Sequence, residues 1–307
     1  MFVVKYRNNL YLTASPDVRR LNNIILRCLL HFVGKGIYLS LYPNTAIMVL
    51  ESEDRLILLT NDDGLYAAGL KTLFEVMEEF GKVVLISTLE SMSGMSQALT
   101  VKTPIRVKLL EENEKHRVYT CNGTPTDSVK LAINQLLERP PDFIVAGINH
   151  GANASVSVLY SGTMAAAIEG CLYGITSVGF SLNSFSPSAD FSVCRDYIRI
   201  VMKELSAEPL PEGICLNVNI PAKPAEEIKG IKICRQSKGN WKEEFEKRKD
   251  PMGKTYYWLT GFFQNHEPES DDTDEWALTN DYVSLVPVTV DMTAHWYLDK
   301  LKKRFRL

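Results

Sequence analysis

Two adjacent carboxylates, Asp62 and Asp63, stand between Asn61 and Gly64 at the end of the apolar run Leu56-Ile57-Leu58-Leu59-Thr60. Carboxylates held this close repel each other, and one of them protonates more readily unless a cation neutralises the pair. Hard divalent cations favour such oxygen donors. A helix N-cap Asp followed by a turn Gly is the plain structural alternative for the same residues. Two other stretches bear on the choice. Ser91-Met92-Ser93-Gly94-Met95-Ser96-Gln97 can offer hydroxyl and backbone N–H groups to an anion. Ile148-Asn149-His150-Gly151-Ala152-Asn153 sets polar groups beside a Gly that permits close backbone approach. Three segments rich in oxygen and amide groups, and free of bulk, describe a pocket for a metal and a phosphate. His150 could act there as an acid or touch substrate, or it could be incidental to its loop.

The elements that must position these segments are legible from periodicity. Strand-like runs at 56–60, 82–88, 142–148 and 176–182 alternate with helical patterns at 67–80, 125–138, 162–173 and about 190–205. Short continuous apolar strands alternating with amphipathic helices predict a Rossmann-like, doubly wound α/β fold with a mainly parallel sheet. Each polar segment follows a strand, where ligands bind in such sheets. Beyond about residue 210 the pattern changes to "ICLNVNI", "IKICRQ", the charged "KEEFEKRKD", the aromatic "YYWLTG", "YVSLVPVTVD" and a basic helix over about 293–305. This predicts a smaller β-rich C-terminal extension. The charged run reads as a solvated helix or turn, and the aromatics as core or interface rather than a base-stacking platform.

Composition removes several classes of function. The 307 residues carry a formal net charge of −3 and a pI near 6.0, so there is no overall attraction to a nucleic-acid polymer or an anionic membrane. The apolar stretch "IILRCLLHFVG" is too short to span a bilayer, which takes about 20 residues. Six scattered cysteines without a C-x-x-C pair read as buried thiols of a reducing, cytoplasmic protein. "GLYAAGLKT" misses the phosphate-loop spacing by one residue, and no G-x-G-x-x-G or G-x-S-x-G occurs.

The segments "LLTNDDGLYAAGLKTL", "SGMSQALTVKTPIRV", "CNGTPTDSVKLAINQLL", "PDFIVAGINHGAN", "VLYSGTMAAAIEGCLYGITSVGFSL" and "YVSLVPVTVDMTAH" resemble the SurE (survival protein E) family of metal-dependent 5′-nucleotidases, over about 55–297. The resemblance implies release of phosphate from nucleoside 5′-monophosphates, with 3′-monophosphates and short polyphosphate as further candidate substrates. It implies one divalent cation per subunit, Mg²⁺ or Mn²⁺, held by Asp62, Asp63, Ser93 and Asn149. It also implies a C-terminal part that exchanges elements between subunits, and hence a homodimer or homotetramer. Asp62, Asp63 and Asn149 are then the catalytic residues, with Asn61, Gly94, Ser96 and Gln97 as the phosphate contacts. One departure stands out: the family often has P-D-R-x-R-S-G where this chain reads "STLESMSG", with Glu90 and no Arg. A nucleotide-sensing protein that uses the same pocket without turnover is the alternative.

The expected organisation is an N-terminal extension over 1–47, a catalytic part over 48–210 and an oligomerisation part over 211–307. The first 47 residues match nothing in the family, and Met48 is a natural start. The extension is expected to pack weakly and to contribute nothing to the site. The rival is an arm docking through Ile24, Ile25, Leu29 and Leu30.

Overall fold

A computed structural model describes residues 55–306 together with two short strands, β1 (Leu39–Tyr42) and β2 (Thr45–Met48). These two pair antiparallel, from Leu39 against Met48 to Tyr42 against Thr45. The sequence reading expected no strand before Met48; Leu-Ser-Leu-Tyr and Thr-Ala-Ile-Met are short alternating runs that satisfy one another's backbone. The hairpin belongs to a compact unit ending at Glu51, and Ser52–Leu307 forms a second. The packing of the rest of 1–47, and docking through Ile24 to Leu30, lie outside the described residues.

The second unit opens with β3 (Leu56–Thr60), α1 (Ala68–Met77), β4 (Lys82–Thr88), β5 (Val107–Glu112), β6 (His116–Cys121) and α2 (Pro125–Leu131). It continues with β7 (Phe143–His150), α3 (Gly162–Leu172), β8 (Thr176–Asn183), α4 (Cys194–Ala207) and β9 (Ile214–Pro221). Strands β9, β8, β7, β3, β4 and β6 lie side by side in that order and run parallel. This is the expected α/β fold.

Alternation along β3 shows why the sheet is covered on both faces. Ile57 and Leu59 join Leu70, Leu73, Val76 and Met77 of α1 and Ile198, Val201 and Met202 of α4 in one cluster. Leu58 points the other way, into a cluster with Val129 of α2 and Ala166 of α3. Each such side chain, removed from water, contributes about 1.5–3 kcal/mol. The apolar residues of α1 recur at three- and four-residue steps, so one stripe faces the sheet.

Two features differ from the sequence reading of this half. The helix predicted over 125–138 is α-helical only to Leu131 and ends in a π-helical turn over Ala132–Leu136. The antiparallel pair β5 and β6 closes one edge of the sheet, where no strand was expected. Its signal is hidden because every residue of β5 is exposed, so "VKLLEE" shows none of the alternation a half-buried strand would carry.

The C-terminal elements are β10 (Ile231–Ile233), β11 (Gly239–Lys242), β12 (Phe245–Lys249), β13 (Thr255–Leu259), β14 (Phe262–Asn265), α5 (Asp274–Thr279), β15 (Val283–Thr289) and α6 (His295–Phe305). β15 adds antiparallel to β9, and β10 follows it, extending the main sheet to nine strands. The others form an arm: β11 pairs with β14 and β12 with β13, both antiparallel. The run "EEFEKRKD", expected as helix or turn, is thus largely the strand β12, because Phe245 to Lys249 find backbone partners in Leu259 to Thr255. The aromatics of "YYWLTG" are not core; Tyr257, Trp258 and Leu259 are exposed on the arm.

Candidate active site

The chain runs from β3 outward to β4 and β6, then returns to β7 on the other side of β3. A crevice opens beyond the carboxyl ends of β3 and β7, where the strand order reverses. Asp62 and Asp63 follow β3, and Asn149 lies near the end of β7, so the topology brings them together.

Local geometry refines the meeting. β7 carries one extra residue against β8 between Ala146 and Asn149, a bulge that re-aims the strand end. Gly147 sits in it at φ 124°, where a Cβ would lie 2.3 Å from the Phe180 carbonyl oxygen. Only glycine fits such a position. The amide of His150 donates to Asp63 Oδ2 at 2.9 Å, and Asn149 Nδ2 donates to the Gly151 carbonyl at 2.7 Å. The amide oxygen of Asn149 is thereby oriented opposite its fixed NH₂ group.

Asp62 is 2% exposed. Thr163 Oγ1 donates to its Oδ1 at 2.5 Å and lies 3.4 Å from Asn149 Oδ1. Gly162 stands beside the carboxylate, and a Cβ there would be 2.8 Å from both Asp62 Cβ and Oδ2. The N-terminus of α3 therefore reaches the carboxylate only because residue 162 has no side chain. Ser161 caps that helix, its Oγ accepting from the Met164 amide at 3.0 Å. Burial pushes Asp62 up to about 6, against the Thr163 hydrogen bond and with help from the Asp63 charge. Burial also raises Asp63, partly opposed by the His150 amide. Among the described residues, no Lys or Arg forms an ion pair with either carboxylate.

The cavity over this crevice has a volume of about 580 Å³ and is walled at one end by Asp62, Ser93, Gly94, Asn149 and Ser161. Of the four residues expected on phosphate, only Gly94 lines it. Asn61 is occupied in building its own turn: Nδ2 donates to the Gly64 carbonyl at 2.9 Å, and Oδ1 accepts from Ser87 Oγ at 2.6 Å. Ser96 clasps the neighbouring loop, donating from its amide to Tyr160 O at 3.1 Å and from Oγ to Leu159 O at 2.6 Å. Gln97 is exposed and outside the cavity lining. Left-handed backbone at Gly94 and Ser96 turns the loop away after Gly94, so neighbours in sequence do not stay neighbours at the wall. The His150 imidazole also lines the cavity; its Nε2 donates to the Ser186 carbonyl at 2.6 Å.

The floor rests on groups that sequence reasoning missed. Asn153 donates from its amide to Asn219 Oδ1 at 2.7 Å and from Nδ2 to Ser181 Oγ at 2.9 Å, while Asn217 Nδ2 donates to the Asn153 carbonyl at 2.8 Å. Two buried Asn in the otherwise apolar "ICLNVNI" were the available signal, since a buried amide must find partners. Asp274, 1% exposed, accepts from the amides of Ser155 at 2.8 Å and Ser237 at 2.9 Å. Ser161, Gly162 and Thr163 were also missed as site residues; "SGTM" before a small-residue helix reads as a cap and packing stripe.

The donor set suits a hard divalent cation. It comprises oxygen only: the desolvated Asp62 carboxylate, the adjacent Asp63 carboxylate, which lies outside the cavity lining, the Asn149 amide oxygen, and Ser93, whose hydroxyl meets Ser91 Oγ at 2.9 Å. Among the described residues no three His, Cys, Asp or Glu side chains converge, so neutral oxygens and water would complete the shell.

Comparison with known proteins agrees with this geometry. The profile of the family "Survival protein SurE" matches residues 57–243. The chain is 49% identical over 247 residues to the 5′-nucleotidase SurE of Flavobacterium psychrophilum, covering 80% of this chain and 96% of that protein. It is 49% identical over 248 residues to the 5′-nucleotidase SurE of Christiangramia forsetii, covering 80% and 95%. The crystal structure of the SurE protein from Aquifex aeolicus superimposes with a TM-score of 0.70 at 34% identity, covering 81% of this chain and 99% of that one.

Proposed function

The chain belongs to the SurE family, and from that premise we propose that it is a metal-dependent phosphatase hydrolysing nucleoside 5′-monophosphates to nucleoside and phosphate. One observation carries the reading. The desolvated Asp62 carboxylate, with Asp63 beside it and no basic partner for either, lines one cavity with Asn149, Ser93 and the helix-capping Ser161, which answers the needs of a divalent cation and a phosphate together.

Asp62 and Asp63, with the Asn149 amide oxygen and the Ser93 hydroxyl, would hold Mg²⁺ or Mn²⁺. Such a cation, when bound, polarises a phosphoryl oxygen and lowers the pKa of a bound water. Thr163 holds Asp62 in place through Oδ1, and the His150 amide holds Asp63 through Oδ2. The α3 N-terminus is spent on holding the site: the Thr163 backbone N–H bonds Asp62 and the Met164 amide donates to Ser161 Oγ, which leaves Ser161 on the cavity wall beside the carboxylate. The Gly94 backbone closes the opposite wall. Direct attack by water suits this arrangement, since carboxylates that act as ligands have their attacking lone pairs engaged. Acid trapping tests the step: a phosphorylated Asp peptide would replace hydrolysis with an aspartyl-phosphate route.

None of the residues lining the cavity is Lys or Arg. That favours a monophosphate over polyphosphate, and it accords with the missing Arg ahead of Ser93. Activity on 3′-monophosphates depends only on whether the ribose fits in the reverse sense. The arm and α6 expose Phe245, Trp258, Leu259, Trp296 and Phe305, and apolar surface of this kind supports a homodimer or homotetramer. Five described cysteines, all buried and unpaired, suit the cytoplasm. Among the described residues no helix is long and apolar enough to cross a membrane.

Phosphate release from a panel of monophosphates, with and without EDTA, tests the reading. Turnover is expected to need the cation. Undiminished turnover after thorough metal removal would defeat the metallophosphatase, and metal-stimulated nucleotide binding without phosphate release would establish the sensor instead.

A further inference from the structure

The cavity has further walls, built by different elements. Besides the residues already described it is lined by Tyr160, Phe185, Trp241, Glu244, Leu259 and Thr260, four of them contributed by the arm. None of these residues serves the metal or the phosphate.

Trp241 is held in place. It pairs with Phe263 across β11 and β14, and the rings meet edge to face with centroids 6.2 Å apart. Phe263 seats there because residue 239 is Gly; a Cβ at that position would lie 2.1 Å from Phe263 Cζ. The indole is therefore a fixed, half-buried aromatic surface on the cavity wall.

Glu244 stands at the joint where the two strand pairs of the arm meet. Glu243 turns the chain at φ 53°. Thr260 locks the joint, donating from its amide to the Glu244 carbonyl at 2.7 Å and from Oγ1 to the Glu243 carbonyl at 3.2 Å. Gly261 completes it, since a Cβ there would be 2.5 Å from the Lys242 carbonyl oxygen. The backbone of Glu244 is thus fixed at the cavity, which the residue lines, and the residue is exposed. Among the described residues its carboxylate has neither an ion pair nor a hydrogen bond, although Lys242 and Lys247 lie near it in sequence.

We infer that the wall contributed by the arm reads the nucleobase, with Trp241 stacking on its face and Glu244 selecting guanine by its hydrogen-bonding edge. The inference rests on the nucleotidase reading for its ligand class and adds the specificity. A flat heterocycle stacks on an aromatic surface whatever its identity, so Trp241 supplies affinity without choice. An ionised carboxylate only accepts. Guanine offers it two adjacent donors, N1–H and the N2 amino group, which match its two oxygens. Adenine and cytosine set one amino donor beside a ring acceptor that faces the carboxylate unfavourably. Uracil flanks its single N–H with two carbonyl oxygens. Inosine keeps N1–H and lacks the amino group. The cavity volume falls within the range of about 300–1,000 Å³ usual for small-molecule sites, so one nucleotide fits within it.

The test compares kcat/KM for GMP, IMP, AMP and ribose 5-phosphate in the wild type, Trp241→Ala and Glu244→Gln, alongside equilibrium binding of guanosine and inosine. GMP should exceed IMP by about tenfold, the scale of one hydrogen bond to a charged group. Glu244→Gln should shift the GMP-to-AMP ratio toward AMP by about tenfold or more, because Gln can donate to adenine N1 while accepting from its amino group. Trp241→Ala should raise KM about tenfold for every nucleotide and leave ribose 5-phosphate unchanged. Neither residue touches the metal end, and Glu244 is exposed, so folding is not at stake in its variant. Unchanged ratios in Glu244→Gln, or guanosine and inosine binding equally to the wild type, would overturn the inference. If the wild type hydrolyses no nucleotide at all, the nucleotidase reading fails, and guanosine binding still decides the base site on its own.

Discussion

Replacing Asp62 with asparagine should make the metal-free protein more stable while abolishing its activity. Burial pushes the Asp62 carboxyl from an ordinary 3.8 to about 6. A difference of about 2 units at about 1.4 kcal/mol each makes the ionised group cost the metal-free fold about 3 kcal/mol at pH 8. The sign follows from linkage: the stability tied to protonated Asp62 is fully present below about pH 4 and is lost as pH rises through about 6. Asp63, also raised, adds in the same direction. The asparagine amide oxygen can still accept from Thr163 Oγ1 in the place where Asp62 Oδ1 does so now, so the variant loses charge and keeps that hydrogen bond. Its own desolvation offsets part of the gain, leaving about 1–3 kcal/mol, or a rise in Tm of about 2–8 °C for a unit of this size. Thermal melts in EDTA at pH 5 and pH 8 measure it, and phosphate release with Mg²⁺ or Mn²⁺ measures the loss of turnover, expected to be about a hundredfold or more. A lower Tm for Asp62→Asn in EDTA at pH 8, or near-normal turnover with metal, would refute the assignment of this carboxylate.

Asp63→Asn should likewise lose about a hundredfold in turnover, with Ser93→Ala and Asn149→Ala milder because a neutral ligand contributes less than a charge and water can replace it; metal titrations of turnover rank the four. Gly162→Ala should abolish metal-dependent turnover, since its Cβ would sit 2.8 Å from Asp62 Oδ2, and normal kcat would show that α3 does not seat the carboxylate. His116 lies 2.7 Å from Glu78 and 3.0 Å from Glu111, and although burial pulls its pKa down the two carboxylates raise it overall. Its stabilisation is fully present below about pH 6.5 and is lost as pH rises through the raised value, so His116→Gln should flatten that part of the stability profile in urea melts. Light scattering at micromolar concentration should give a dimer or larger, and a stable monomer would leave the exposed aromatics of the arm and α6 unexplained.

The fold and the meeting of Asp62 with Asn149 were legible for one reason. In a parallel sheet the chemistry sits at strand ends, so Asp62 and Asn149 could be placed from the apolar runs that precede them, 57–60 and 143–148, without any long-range information. The hidden parts depend on distance along the chain. Thr163 meets Asp62 across 101 residues, and nothing in "SGTM" distinguishes a helix start that touches a carboxylate from one that merely caps. Asn61 and Ser96 are expected phosphate contacts from the sequence, yet Asn61 is engaged in building its own turn and Ser96 in clasping the 159–160 loop. Type and position nominate a residue; its existing hydrogen bonds decide whether it is free to act. The strand β5 escaped notice for the opposite cause, since an edge strand exposed along its whole length has no periodicity to betray it.

The base end was illegible because its placement hangs on one buried carboxylate far from it in sequence. Asp274 accepts from Ser155, in the loop that follows β7, and from Ser237, just before β11 begins the arm. Ser155 Oγ in turn donates to the Ser237 carbonyl at 2.9 Å. The loop following the Asn149 strand and the root of the arm are therefore tied together through Ser155, Ser237 and Asp274, while the Asn153 network ties the same loop to β8 and β9. Breaking a buried carboxylate that satisfies several amides costs more than losing any one of those bonds, because the stranded donors have no water to replace it. An arm anchored this way can differ along β12 and β13 without moving Asp62 or Asn149.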